Sequence, residues 1–320
     1  MKNKKQLGVA IIIVTYNSNL KLVKGCLNSL KKVTAYKNYK VIISDNGSTN
    51  GVQNLIKKDY KWVDLVENNA NIYFAGGCNS AIKYALKKYD PDYYFLLNDD
   101  VVIIDKNWLS ELVKTAESDP KIGLVGANPI YPDGISQNVG GYIKGPLITL
   151  EKKATGLMEF DHITAFFLAK RKVIEKVGLF DEIFTPYLLD ETDYCMRTKK
   201  AGFKLVSRTD IKIVHYKSVT INRDGELRIN RVRLKNDIIF SLINLRIPYA
   251  LIRVFFYLPL VTIMKKKDDK GDVTIKNARF RDNFFKNLGI LFMGYWFMLT
   301  HLKLIHKKRQ DRNRKTKIWY

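Results

Sequence analysis

The sequence predicts an α/β fold: a mostly parallel sheet with helices on both faces, followed by a helical, basic C-terminal extension. Three observations predict it. Short apolar, β-branched runs alternate with helix-period patterns through about the first 130 residues. Polar, turn-prone clusters stand at the carboxyl ends of four of those runs. Beyond about residue 225 the alternation gives way to apolar, aromatic and basic segments.

Val9–Thr15 is a β-branched run and reads as a first buried strand, and Leu20, Val23, Leu27 and Leu30 then recur at helical spacing. Residues 41–44 form a second strand, ending in Asp45-Asn46-Gly47-Ser48-Thr49, and 63–66 form a third. Ala81, Ile82, Ala85 and Leu86 mark a helix. Residues 93–97 make a fourth strand that runs into Asn98-Asp99-Asp100. Trp108, Leu112 and Val113 mark another helix, and 122–125 another strand. The stretch 129–153 is rich in Gly and Pro and reads as loops. An apolar strand returns at 163–170, and Val173, Ile174 and Val177 continue as a short helix stopped at Gly178. The aromatic stretch 179–189 is irregular. Asp190–Lys200 is acidic first and basic last, as a helix dipole prefers. Residues 211–215 alternate as a strand. A catalytic domain over 1–225 and a helical region over 226–320 follow.

Composition narrows the class. Hydrophobic residues make up 46%, enough for a sizeable core. The three cysteines, Cys26, Cys78 and Cys195, form no CxxC pair and no disulfide framework, which fits a reducing cytoplasm. The apolar run at 9–14 is too short for a signal-peptide core. The net charge of +24 calls for a polyanionic partner. From 265 to 320 there are 16 lysines and arginines against five acids, interleaved with aromatics. That mixture points to an anionic membrane surface and away from nucleic acid. The apolar stretches 247–264 and 288–302 are prolyl-interrupted or too short to span a bilayer, which takes about 20 residues. They are expected to lie in the interface, with the basic run 303–317 on anionic headgroups; a helical subdomain packed on the main one is the alternative.

Ligands of such sheets bind beyond the carboxyl ends of the strands, so Thr15-Tyr16-Asn17, Asp45-Asn46, Glu67-Asn68 and Asn98-Asp99-Asp100 describe one pocket rim. Asp99 and Asp100 end a buried strand there. A hard divalent cation bridging a diphosphate is their natural partner, because Mg²⁺ takes one or two carboxylates plus phosphate oxygens; a helix N-cap is the plainer reading. His215 ends a later strand that can lie beside Asp100, which makes it a candidate metal ligand. Asp190, Glu191 and Asp193 put three acids in four residues, more than capping needs, and a carboxylate aimed into the pocket can act as general base. Asp45 is placed to accept a hydrogen bond from a base imide, and Gly76-Gly77 to let the backbone approach a ligand.

In order along the chain stand Ile13-Val14-Thr15-Tyr16-Asn17, Ser44-Asp45-Asn46-Gly47-Ser48-Thr49, Glu67-Asn68 with Asn71, Phe74-Ala75-Gly76-Gly77-Cys78-Asn79, Leu96-Leu97-Asn98-Asp99-Asp100-Val101, Val177-Gly178-Leu179-Phe180-Asp181-Glu182, Asp190-Glu191-Thr192-Asp193-Tyr194-Cys195-Met196-Arg197 and Val214-His215. This series resembles the family 2 glycosyltransferases of the GT-A (Rossmann-like) fold, especially the rhamnosyltransferase-like branch that builds bacterial surface polysaccharides. It covers about the first 220 residues.

The resemblance implies an inverting transfer from a nucleotide-sugar donor, dTDP-rhamnose or a UDP-hexose, to a saccharide, carried for instance on a polyprenyl diphosphate, by a protein peripheral on the inner face of the cell membrane. It implies that Thr15, Tyr16, Asn17, Asp45 and Asn46 hold the nucleotide, and that Asn71, Gly76, Gly77, Asn79, Asn98 and Asp99 line the donor site. Asp100 and His215 would bind Mg²⁺ or Mn²⁺. Glu191 aligns with the family's catalytic base, but this chain has Asp190-Glu191 where the family has Glu-Asp, so either acid is a candidate. Tyr73 stands where the family often has Gly, and Asn98 replaces the first acid of the metal motif. A nucleotidyltransferase and a non-catalytic membrane- or nucleic-acid-binding protein are the alternatives. The first would want a Gly-rich phosphate loop after the first strand, where this chain has Tyr16-Asn17-Ser18-Asn19.

Overall fold

The computed structural model describes residues 6–151, 155–216, 225–264, 266–267, 273–274 and 284–315. The basic start at 1–5 and parts of the basic tail (265, 268–272, 275–283 and 316–320) lie outside the described residues. The chain divides into two compact units, one of Met1–Tyr142 with Leu150–Thr220, the other of Ile143–Thr149 with Ile221–Tyr320.

The first unit is built on a nine-stranded sheet. Its strands are β1 (Val9–Thr15), β2 (Tyr39–Asp45), β3 (Val63–Glu67), β4 (Tyr93–Asn98), β5 (Val101–Ile103), β6 (Ile122–Ile130), β9 (Leu157–Phe160), β10 (Phe167–Lys170) and β11 (Lys204–His215). The two short strands β7 (Ile143–Lys144) and β8 (Leu147–Ile148) form a separate hairpin in the second unit. The order is β3-β2-β1-β4-β10-β6-β11-β5, with β9 also on β11. β3, β2, β1 and β4 run parallel, as do β6 and β11. The sheet is mostly parallel, as expected, but β10 runs antiparallel between β4 and β6, a direction that an apolar run does not encode.

Alternation decides the core. In β1, Val9, Ile11 and Ile13 join one buried cluster, while Ala10 and Ile12 join the other. Period-2 alternation places successive side chains on opposite faces, so an unbroken apolar strand requires cover on both. Helices α1 (Leu20–Val33), α2 (Val52–Asp59) and α4 (Trp108–Ser118) supply one layer through Val23, Leu27, Leu30, Val52, Ile56, Trp108 and Leu112. Helices α3 (Tyr73–Lys88), α5 (Arg171–Val177) and α6 (Asp190–Lys200) supply the other through Ala75, Ala81, Ala85, Val173 and Tyr194. Each fully buried Val, Leu or Ile contributes about 1.5–3 kcal/mol.

Two helices differ from the sequence reading. α2 carries only Val52 and Ile56 into the core, too short a periodicity to stand out. α3 begins at Tyr73, well before the expected Ala81, so the Gly76-Gly77 stretch is helical and not a ligand-approaching loop. A Cβ on Gly77 would stand 2.6 Å from Val14 Cγ1. The glycine is therefore required by close packing of α3 on β1.

The second unit is helical: α7 (Gly225–Asn244), α8 (Ile247–Ile252), a π turn (Arg253–Tyr257), α9 (Leu258–Met264), α10 (Phe284–Thr300) and α11 (Leu302–Lys315). Pro259 has no N–H to give to the carbonyl four residues back, and the π turn directly precedes it. Arg253 is buried, donating to Asp237 from Nε (2.9 Å) and Nη2 (2.7 Å) and to the Pro146 carbonyl. Part of the basic run turns inward. Arg309 donates to the Leu242 and Leu245 carbonyls and Arg312 to Asn244, satisfying the orphan carbonyls at the end of α7. These two arginines are thus not available to headgroups. Apolar side chains nonetheless face out from the same unit: Phe256 is 72% exposed, Phe285 85% and Trp296 60%. Among the described residues no single helix is long and apolar enough to cross a membrane; α10 and α11, bent by 69°, pass such a test only together.

Candidate active site

The expected rim forms, and hydrogen bonds close it. Asn17 adopts the left-handed conformation at φ +48°. Its N–H donates to Ser48 Oγ (2.8 Å) and its Oδ1 accepts from Thr49 N (2.8 Å), joining the loop after β1 to the loop after β2. Asp45 is fully buried and accepts from Ser48 N (2.9 Å), Ser48 Oγ (2.5 Å) and Gln53 Nε2 (2.5 Å). Its carboxylate organises this turn from within, and Tyr16 is left at the surface. Asn46 donates to the Tyr73 carbonyl (3.0 Å) and accepts from Asn68 Nδ2 (3.0 Å), while Asn68 also donates to Ser44 and accepts from Ser80. A buried amide relay therefore binds the ends of β2 and β3 to the start of α3.

Tyr73 sits at φ +60°. That is the conformation a glycine adopts without strain, so this chain keeps the backbone of a glycine-bearing loop despite its side chain. Asn71 Oδ1 accepts from Tyr73 N (2.9 Å) and steadies it. Asn79 turns elsewhere. Its Nδ2 donates to the Phe180 carbonyl (3.0 Å) and to Glu182 Oε1 (2.8 Å), and its Oδ1 accepts from Phe180 N (2.9 Å). The amide is engaged in anchoring the loop before α6.

Asn98, Asp99 and Asp100 follow β4. Thr15 Oγ1 donates to Ser18 Oγ (2.9 Å), and Ser18 Oγ donates in turn to Asp99 Oδ2. Burial, opposed by Ser18 and reinforced by the charge of Asp100, pushes the Asp99 carboxyl up to about 6. Asp100 is buried, and its Oδ1 has no hydrogen-bond partner. The antiparallel pairing of β11 with β5 sets His215 opposite Val101, which brings His215 Nε2 to 3.3 Å from Asp100 Oδ1. Asn98 Nδ2 lies 3.4 Å from the same nitrogen.

Gln137, unremarked in the sequence because it lies in the Gly/Pro-rich stretch, decides the histidine's chemistry. Its Nε2 donates to the His215 carbonyl (2.8 Å), which fixes the amide's orientation and turns Oε1 toward His215 Nδ1 (2.8 Å). Oε1 can only accept, so Nδ1 carries the hydrogen, and a neutral ring turns its Nε2 lone pair toward Asn98 Nδ2 and Asp100. Two lone-pair atoms, Asp100 Oδ1 and His215 Nε2, then face each other. Such a pair fits a hard divalent cation that draws its other ligands from phosphate oxygens and water. Among the described residues no group of three or more His, Cys, Asp or Glu side chains is placed to hold a metal by itself, so a cation here depends on those outside oxygens.

Leu188 (φ +74°) and Leu189 (φ +66°) are both left-handed immediately before α6. The strain turns the chain so that Asp190 enters the interior and Glu191 stands partly exposed. Burial first, then the charge of Glu191, raises the Asp190 carboxyl well above the ordinary range. Asp190 Oδ1 is buried with no hydrogen-bond partner among the described residues. Asp193, fully buried, pairs with Arg197 Nε at 2.8 Å, and Arg197 Nη1 reaches the Val177 carbonyl. This pair holds the first turns of α6 in place.

Residues 10–178 match the family model described as glycosyl transferase family 2. The chain is 25% identical over 231 residues to the O-antigen biosynthesis protein RfbC of Myxococcus xanthus, aligning 67% of this chain with only 18% of that protein. It is 26% identical over 219 residues to the dTDP-rhamnosyl transferase RfbF of Shigella flexneri, covering 64% of this chain and 67% of that one. Among solved structures, the mannosyltransferase PcManGT from Pyrobaculum calidifontis, in complex with GDP-Man and Mn²⁺, superposes with a TM-score of 0.55 at 14% identity, over 93% of this chain and 76% of that one. At that identity the likeness speaks for the fold alone.

Proposed function

Because the chain belongs to glycosyl transferase family 2, we propose that it transfers a sugar, with inversion, from a nucleotide-diphosphate donor to a saccharide in cell-surface polysaccharide synthesis. The observation that carries this reading is the facing pair of Asp100 Oδ1 and His215 Nε2 at the carboxyl ends of the strands. The relatives named above support the polysaccharide context, and RfbF supports dTDP-rhamnose as the donor to try first, with UDP-hexoses next. Asp100 and His215 would hold a Mg²⁺ or Mn²⁺ ion, which when bound offsets the charge on the departing diphosphate.

The protein's own residues supply the rest. The Asn17–Ser48 and Asn46–Asn68 networks hold the nucleotide loops, with Tyr16 exposed beside them. Glu191 takes the proton of the acceptor hydroxyl as that oxygen attacks the anomeric carbon from the face opposite the leaving diphosphate. Asp190 lies buried beside Glu191, its carboxyl raised by burial and by the charge of its neighbour, which favours Glu191 as the ionised acceptor of that proton. The exposed aromatic side chains of the second unit and the remaining basic residues of the tail support a peripheral seat on the anionic inner face of the membrane, where a polyprenyl-diphosphate-linked acceptor resides.

The test is a panel of nucleotide sugars with the full chain and a saccharide acceptor, with and without Mn²⁺, read as released UDP or dTDP and as anomeric configuration by NMR. Release from no donor overturns the reading; a retained anomeric configuration removes the direct displacement.

A further inference from the structure

The second unit contains a cavity of about 60 Å³ among α7, α9 and α10, with polar side chains set in a largely apolar lining. Every residue lining it belongs to that unit. Arg233 and Asp237 are spaced i, i+4 on α7, where opposite charges ordinarily pair. Here Asp237 is already taken, since Arg253 donates to its Oδ1 from both Nε and Nη2. Arg233 is left lining the cavity with no hydrogen bond or ion pair among the described residues, and burial lowers the pKa of its guanidinium. Across the cavity Asn287 is 4% exposed, and its Nδ2 has no hydrogen-bond partner. A buried donor without an acceptor costs about 1–3 kcal/mol. The Thr262 hydroxyl and the Asn230 amide complete the polar wall.

The site therefore combines unspent donors with one net positive charge, Arg233 and Arg253 against the single carboxylate of Asp237, which also lines the cavity. Water alone satisfies Asn287 but leaves the charge of Arg233 unbalanced. The cavity's volume is several times the roughly 10–15 Å³ needed to admit one water-sized group. Its donors come from three helices and do not lie in one fork, which suits a tetrahedral anion better than a planar carboxylate. We propose that this cavity binds a phosphoryl oxyanion, presented either by a phospholipid headgroup or as free phosphate. The exposed Phe256 and Leu260 precede Thr262 in sequence, and the exposed Phe285 and Leu288 flank Asn287, so apolar side chains are at hand near both to receive acyl chains beside a bound headgroup.

The experiment uses the full chain, wild type and the variants Arg233→Met and Asn287→Leu. Thermal melting is followed against inorganic phosphate, with chloride at matched ionic strength. Wild type is expected to gain a saturable upward shift, with the half-saturating phosphate concentration at least tenfold higher in Arg233→Met and raised severalfold in Asn287→Leu. Flotation is then compared on phosphatidylcholine vesicles containing phosphatidic acid or oleate at equal surface charge. A preference for phosphatidic acid that Arg233→Met loses assigns the site to a headgroup; the phosphate shift without that preference assigns it to free phosphate. Phosphate responses equal in all three proteins, together with equal binding to both vesicles, overturn the proposal. Asn287→Leu changes volume little, so it keeps the test decisive where Arg233→Met fails to fold.

Discussion

Replacing Asn79 with alanine separates a structural role from a donor contact. Asn79 is 4% exposed and makes three hydrogen bonds, two of them to the backbone of Phe180, itself 5% exposed. Truncation leaves the Phe180 N–H and carbonyl buried and unpaired, at about 1–3 kcal/mol each, so a loss of about 2–6 kcal/mol is expected. Asn79→Asp keeps the acceptor for Phe180 N but loses both donations and sets a carboxylate against Glu182, so it is expected to be no milder. Urea denaturation of the full chain measures the loss, and hydrogen exchange at residues 180–184 localises it. Donor-nucleotide affinity, measured by calorimetry, is expected to change little next to turnover, because the loop that Asn79 holds leads to Asp190 and Glu191. A stability change under about 0.5 kcal/mol with a collapse of donor affinity would refute this reasoning and return Asn79 to the donor site.

Glu191→Gln is expected to cut transfer by about 10²–10⁴-fold with donor binding retained, whereas Asp190→Asn costs less; the reverse ranking in steady-state assays assigns the base to Asp190. Gln137→Leu frees the His215 ring to change tautomer, and Mn²⁺ affinity measured by electron paramagnetic resonance is expected to fall about 10–100-fold; an unchanged affinity removes Gln137 from this role. Gly77→Ala drives a methyl to 2.6 Å from Val14 Cγ1 and should cost about 1–3 kcal/mol of stability, seen as a lowered denaturation midpoint. Desolvation lowers the Lys235 ammonium to about 8 from its ordinary 10.5. The native state therefore binds fewer protons than the unfolded state between those values, and this residue's contribution to stability rises with pH across that window. Lys235→Met should flatten the rise in urea midpoints from pH 8 to 10.5, and an unchanged slope would count against the burial argument.

Much of the first unit is legible locally. The β-branched strands, the amphipathic α1 and α4, and the acid-first, base-last α6 each carry their own periodicity or charge order within a dozen residues. The pocket rim is legible for the same reason, because turn-forming residues at strand ends are a local signal. α2 escaped because two buried positions make no pattern. The early start of α3 escaped because Gly76-Gly77 reads as loop until Val14 is seen against it.

The sequence by itself determined the class of fold, the strand ends that form the rim, and the acids and histidine to which the proposed chemistry is assigned. Tertiary structure alone decided how those groups are used. Gln137 and His215 are 78 residues apart, yet their contact selects the tautomer that faces Asp100. Asn79 and Phe180 are 101 residues apart, and their contact anchors the loop before α6. Burial raises the Asp190 carboxyl within the Asp190-Glu191 pair, and α11 turns Arg309 and Arg312 onto the end of α7. Periodicity and turn preference are carried by neighbours along the chain, whereas hydrogen-bond partners and desolvation depend on neighbours in space, which exist only once the sheet has set its order and the direction of β10 and β11.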